Sequence, residues 1–440
     1  MAAAIAARGQ AAQVLLIEQG VVGGTCLNIG CVPSKTLLAA AGHRAACAST
    51  AFPGVPAASG SVDLAALVAQ KDALVDQMRR SKYLVVAEAH GFQVLGGTAS
   101  FEDPDLLLVD GQPMPAQAYL IATGAEPVIP DLPGMDVVDA LTSTTAMELT
   151  VLPASLVIIG GGYVGMEQAQ LFAGLGTKVT LVGRLAPHTE PEMADVMRAA
   201  FAEAGITVIE QRATAVEQTG REITVTTASG GHVRAERLLV ATGRAPRTRA
   251  LNSEAAKIDV DARGFLTVDA QQRSSNPKVW AAGDVTGAPQ YVYVAAATGK
   301  AAALNALGAS TQVDYTALPA VTFTRPQIAG VGLGEQQAVA AGYDCECRTV
   351  TAADIPRALV NHDPHAALKL VVDVKSRRVL GVHAAMDGAG EVIAAAVYAL
   401  KAGLTVDDLA DTWSPYLTMS EALRITAGLF RTNKPVSCCA

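Results

Sequence analysis

Residues Leu156–Glu167 read LVIIGGGYVGME, and few stretches restrict a fold more tightly. An unbroken apolar run of this length, opening straight into glycines, suits a buried parallel strand. Gly160, Gly162 and Gly165 form G-x-G-x-x-G, which permits a tight turn and close backbone approach to a pyrophosphate at a helix N-terminus. Alone the pattern is weak. It gains weight from the helix that should follow and from the next strand, Lys178–Val182. Where an NAD-binding unit would place a ribose-binding acid, this chain has Gly183 and then Arg184. A cation there accommodates a 2′-phosphate, so NADPH is expected over NADH. A merely exposed Arg184 is the other reading.

The second informative stretch is GGTCLNIGCVPSK, residues 23–35. Cys26 and Cys31 are separated by four residues, with Gly23, Gly24 and Gly30 beside them, and Pro33 suits a first helical turn. Such a pair can close a short disulfide ring or carry a reactive thiolate. The spacing equally fits two structural cysteines. The thirteen residues as a run, however, resemble the redox-active disulfide motif of the pyridine nucleotide–disulfide oxidoreductases, a flavoenzyme family. The resemblance implies an α/β fold with two Rossmann-like domains, for FAD and NAD(P), and an α+β C-terminal dimerisation domain. It implies that Cys26 and Cys31 exchange electrons with the flavin and that Lys35 lies beside it.

Further segments carry the same resemblance. Gln13–Glu18 (QVLLIE) reads as a strand ending in an acid, so Glu18 suits ribose hydroxyls. YLIATG at 119–124 and LLVATGR at 238–244 repeat a strand–turn signal, as in an internal duplication. VWAAGD, residues 279–284, resembles the family's second FAD motif. FAD contacts are thereby implied for Glu18, Gly20, Gly24 and Thr25, for Ala99 at the adenine, and for Thr123 and Gly124. Asp284 would hold the ribityl chain and Val292 would touch the ring. Gly243 joins the cofactor set. Tyr163 would cover the flavin until nicotinamide displaces it, and Glu167 would pair with Lys35. A strand and glycine-rich turn are expected ahead of the first helix. None precedes Met1 in this sequence, so weak FAD binding is expected, as is the lack of an amino-terminal metal-binding domain.

Domains are expected at residues 1–150 (FAD), 151–246 (NAD(P)), 247–315 (a second part of the FAD domain) and 316–440, where VTFTRPQIAGVGL resembles the start of the dimerisation domain. Helices are expected over 2–12, after Lys35 to about Ala48, and over Val62–Glu88. Phe92–Phe101 and Leu106–Val109 read as hairpin strands.

The C-terminus separates branches of the family. Disulfide-reducing members carry an acid–base His-Pro there, followed by Glu. This chain has WSPYLTMSEALR, with Tyr416 in the histidine's place and Glu421 retained, and no histidine after His383. It ends VSCCA. Adjacent cysteines make a strained disulfide but a good clamp for a soft ion. A Cys-Cys tail after PYLTM resembles the Hg(II)-reducing branch. This implies that Cys438 and Cys439 deliver Hg(II) to Cys26 and Cys31 of the other subunit of a homodimer, near Tyr416. The expected function is NADPH-dependent reduction of Hg(II) to Hg(0), with metal ligands Cys26, Cys31, Cys438 and Cys439. The alternatives are a disulfide reductase or dihydrolipoamide dehydrogenase of the same family, or a non-catalytic thiol protein that sequesters metal. Cys345 and Cys347 are read as structural, an auxiliary metal site being the other reading, and Cys47 as core.

Seven cysteines in 440 residues do not make the dense framework of a small secreted protein. The odd count and the redox reading of one pair favour a reducing cytoplasm. The net charge of −8 argues against nucleic acid as a partner. No apolar run is long enough to span a bilayer.

Overall fold

A computed structural model describes residues 1–432, and the chain folds into two compact units. Cys438 and Cys439 lie outside the described residues. No helix among the described residues is long and apolar enough to cross a membrane.

The first unit is drawn from residues 1–36, 66–128 and 243–314. Its opening helix, Ala2–Gly9, packs along the helix Val292–Ala306. Leu15–Glu18 pairs in parallel with Gln93–Gly96, and Tyr119–Ile121 with Val279–Ala281. A three-stranded antiparallel meander, Ala99–Asp103, Leu106–Val109 and Gln112–Met114, leans on the same core. Phe101 and Tyr119 meet edge to face at 5.5 Å within it. The expected strand over Phe92–Phe101 is therefore two strands. Gly97 breaks it with φ 157°, and a Cβ there would come within 2.5 Å of Val109. The half before the break joins the parallel pair, and the half after it forms the hairpin.

The long helix expected over Val62–Glu88 is also interrupted. Leu64–Arg79 runs into a π-helical turn at Arg80–Leu84 and resumes as Val85–Ala89. Such single-turn insertions often mark functional positions.

The second unit comprises residues 37–65 and 129–242 with the chain from Tyr315 onward. Four parallel strands stand in the order Thr207–Ile209, Lys178–Val182, Ser155–Ile159, Arg237–Val240. Val157, Ile158, Leu181 and Leu238 are fully buried, as a parallel sheet covered on both faces requires. A three-stranded antiparallel sheet, residues 213–235, stands beside it.

The C-terminal part holds a five-stranded sheet in the order Pro319–Thr322, Gln327–Gly332, Val379–Met386, Ala367–Asp373, Cys345–Thr351. Successive side chains of a strand point to opposite faces. Leu368, Leu370 and Val372 accordingly enter the core with Ile393 and Leu423. Lys369 points the other way and is buried against carboxylates from two helix starts. Its Nζ lies 2.8 Å from Glu190, 2.8 Å from Glu192 and 2.7 Å from Glu335. Burial opposes the lysine charge, but these hydrogen bonds outweigh it and raise the pKa. A buried cation is tolerable only when so paired. Cys47, expected in the core, is exposed near the C-terminal end of the helix Cys31–Ala48, where the helix has run out of cover.

Candidate redox and nucleotide sites

The two cysteines meet because of Gly30. A Cβ at Gly30 would lie 2.8 Å from the Thr25 carbonyl oxygen and 3.2 Å from the Cys26 Cα. Without one, the short helix Gly24–Asn28 folds back onto the start of Cys31–Ala48. Cys31 thus becomes the first residue of an 18-residue helix, with Cys26 against it. No disulfide joins the two sulfurs. Hydrogen bonding to the Cys31 sulfur, then burial and the Cys31 charge, push the Cys26 thiol up. The Cys31 backbone N–H and the Lys35 ammonium pull against this. Lys35 therefore faces the pair from one turn along the same helix.

Two neighbours of the pair carry no sequence signal. Arg79 donates to Asn28 Oδ1 from Nε (3.1 Å) and Nη2 (2.9 Å), and Asn28 Nδ2 donates to the Val21 carbonyl at 3.0 Å. This ties the long helix to the short helix that carries Cys26. Tyr83, in the π-helical turn, is half-buried, and its phenol is raised by burial and by the charges of Cys26 and Cys31. It stays protonated beside the sulfurs. Only tertiary packing brings it there.

The rest of the expected FAD set lies in the same unit. Glu18 ends its strand, and its Oε1 accepts from the Gly20 N–H at 2.9 Å. Gly24 has φ 68° and open space where a Cβ would sit. Thr25 follows it in the short helix. Ala99 opens the meander. Thr123 donates its hydroxyl to the Arg247 carbonyl at 2.7 Å, and Gly124 turns with φ 73°. Asp284 follows the strand Val279–Ala281. Its carboxyl is raised by burial and lowered by Arg244, and it accepts no hydrogen bond among the described residues. An acceptor held in this way suits a ligand hydroxyl, so the residues present fit FAD. Val292 begins its helix with an exposed side chain. Gly243 has φ 140° and open space beside its Cα.

The residues expected to meet the nicotinamide nucleotide lie in the second unit. The turn Gly160–Gly162 leads from Ser155–Ile159 into the helix Tyr163–Leu175. A Cβ at Gly165 would fall 1.8 Å from the Gly160 carbonyl oxygen, so the helix sits directly on the turn. Gly162, by contrast, faces open space, and no side chain caps the first N–H groups of the helix. A phosphate fits there. Gly161 accepts a hydrogen bond from the Ala186 N–H at 2.9 Å, which brings the loop after Lys178–Val182 against the turn. Arg184 stands exposed on that loop. These residues fit a 2′-phosphorylated dinucleotide. Tyr163 is the first helical residue, its ring 6.3 Å from that of His188. Glu167 is buried and accepts from the Phe323 N–H at 2.9 Å.

In the C-terminal part Tyr416 is 62% exposed, whereas Glu421 is buried with one oxygen 3.3 Å from Arg424. His383 is part-buried, desolvation lowers its pKa, and its Nε2 donates to the Leu333 carbonyl at 3.1 Å. No acid–base histidine stands near Tyr416 in sequence. Cys345 and Cys347 lie half-exposed on the outer strand. Burial and the Glu335 charge push Cys347 up to about 12. Among the described residues no group of three or more His, Cys, Asp or Glu side chains is arranged to hold a metal ion.

The pyridine nucleotide-disulphide oxidoreductase family matches residues 1–299, and the dimerisation domain of the same family matches residues 318–427. A mercuric reductase of Streptomyces lividans is 50% identical over 453 aligned residues, covering 100% of this chain and 96% of that protein. One from Staphylococcus aureus is 43% identical, covering 100% of this chain and 82% of that protein. Among solved structures, the HOCl-induced flavoprotein disulfide reductase RclA of Escherichia coli superposes with a TM-score of 0.87 at 30% identity, over 97% of this chain and 96% of the other. On matches of this extent, the chain belongs to the pyridine nucleotide–disulphide oxidoreductase family.

Proposed function

We propose that this chain is a flavoprotein that uses NADPH to reduce Hg(II) to Hg(0). The observation that carries the reading is the hydrogen-bonded Cys26–Cys31 pair, set at a helix start beneath Lys35, in a chain so similar throughout to mercuric reductases. FAD, when bound, supplies the two-electron relay between NADPH and the cysteine pair.

The chain's own residues have distinct jobs. Glu18 and Asp284 hold hydroxyls of FAD, while Gly20, Gly24, Thr25, Ala99, Thr123, Gly124 and Val292 let it approach their backbone. Gly160, Gly162 and Gly165 admit the NADPH pyrophosphate, Arg184 reads its 2′-phosphate, and Gly243 completes the cofactor set. Lys35 lies beside the flavin, and Tyr163 stands at the start of the helix that follows the glycine turn. Cys26 and Cys31 bind Hg(II) as thiolates and release their protons as the two Hg–S bonds form. Cys438 and Cys439 of the partner subunit capture the ion first, and Tyr416 lies on the transfer route. A homodimer is the working unit, and the cytoplasm, with its reduced thiols, is the compartment that suits it.

The test is NADPH oxidation by the purified chain on addition of Hg(II) with excess small thiol, with Hg(0) vapour collected. Vapour in proportion to NADPH consumed is expected. Oxidation driven by a disulfide substrate, with no Hg(0), would assign the chain to disulfide reduction instead. Binding of Hg(II) without NADPH oxidation would leave only sequestration.

A further inference from the structure

We propose that Cys345 and Cys347 form a second thiol site, in the other compact unit from Cys26 and Cys31, that holds a soft cation such as Hg(II) between two sulfurs. Residues two apart on a strand face the same way. Both thiols therefore project from the outer strand of the five-stranded sheet toward the helix Glu335–Ala340. Cys345 Sγ lies 4.0 Å from the Glu335 carbonyl oxygen, and the Cys347 thiol hydrogen-bonds the Glu335 carboxylate. The pair converges on one residue, and both thiols are free and half-exposed.

The geometry suits an ion better than a disulfide. Next-but-one Cα atoms on a strand stand about 6.7 Å apart. That is at the limit for a direct S–S bond. Two metal–thiolate bonds of about 2.3 Å, one on each side of an ion, span about 4.6 Å. Two cysteine side chains reach that separation without backbone movement. The one carboxylate beside them, that of Glu335, is already held by the Lys369 ammonium at 2.7 Å, so an ion content with two thiolates is favoured over tetrahedral zinc. Loading from a small-thiol complex is an exchange without redox change. Two S–Hg bonds to the small thiols break, two to Cys345 and Cys347 form, and the two protein thiol protons leave on the departing thiols.

The site does not depend on catalysis at Cys26 and Cys31, and its test is separate. In the full chain carrying Cys26→Ser, Cys31→Ser, Cys438→Ser and Cys439→Ser, mercuric chloride is added with excess free cysteine, and protein-bound mercury is measured after desalting. One retained ion per chain is expected, with ultraviolet mercury–thiolate absorption. Cys345→Ser or Cys347→Ser alone should lower retention at least about tenfold, because the second thiol acts intramolecularly. Cys47→Ser should change nothing. Loss of half the mercury with each single substitution would mean two independent thiols and overturn the site, as would loss only with Cys47→Ser. No retention before further substitution, in protein whose circular dichroism matches that of the unsubstituted chain, would overturn it too. Hg(0) release by the chain with its native redox pair, with and without Cys345→Ser, tests the proposed catalysis independently.

Discussion

Arg184 offers a single cation where the second ribose of the dinucleotide would lie, and Gly183 before it offers no carboxylate. Replacing Arg184 by glutamate should cost NADPH about 1.5–3 kcal/mol, about tenfold or more in kcat/KM, while sparing or improving NADH. Steady-state kinetics with both cofactors check this. Equal kcat/KM for the two cofactors in the unsubstituted chain would remove Arg184 from the argument. Gly30 makes the complementary point, because its role is spatial: the redox pair exists only where no Cβ separates Cys26 from Cys31.

Asp407, in the helix Val406–Asp411, accepts from Arg377 Nε (2.5 Å) and Nη2 (2.8 Å) and from Arg431 Nε (3.1 Å), just past the helix Glu421–Gly428. Hydrogen bonds from Arg377 and then Arg431, working against desolvation, hold its carboxyl down at about 2. A depressed folded pKa gives stability that is present above the unfolded value near 3.9 and lost as pH falls through about 2. The protein should therefore lose this contribution between about pH 4 and pH 2, and Asp407→Asn should flatten that part of the profile. With the group partly open to solvent, the effect is about 1 kcal/mol or less. Thermal unfolding of both forms across the range measures it, and superimposable profiles would show that the link is idle. At the same scale, the strand Lys178–Val182 and the glycine turn into the Tyr163 helix were legible from sequence, because burial on both faces and glycine spacing leave direct marks. The π-helical turn was not, since one extra residue in a mixed-charge helix disturbs no apolar pattern. The break at Gly97 was hidden because both halves read as strand. Tyr83 and Arg79 were invisible as site neighbours, and Cys47 was misplaced, because distant packing decides exposure.

Across the whole molecule, the proposed mechanism needs two subunits for each site, and mixed dimers separate its parts. One subunit would carry Cys26→Ala, the other Cys438→Ala with Cys439→Ala. Such a dimer keeps one complete composite site, so Hg(II) turnover under thiol excess should be about half that of the unsubstituted dimer, each parent homodimer being nearly inactive. A mixed dimer as inactive as its parents would mean that the tail does not serve its partner. The first unit also imposes a schedule on synthesis. Its opening helix, Ala2–Gly9, packs on Val292–Ala306, and its strand Tyr119–Ile121 pairs with Val279–Ala281. At about 5–20 residues per second, the nascent N-terminal helix waits on the order of 15–60 s for its partner to leave the ribosome. The parallel sheet between Ser155 and Val240 is translated within that interval and holds all of its own strands. The helix Ala2–Gly9 is thus made long before it can find its place, and a ribosome that stalls before residue 292 leaves the cysteine-bearing segment on an unfinished unit.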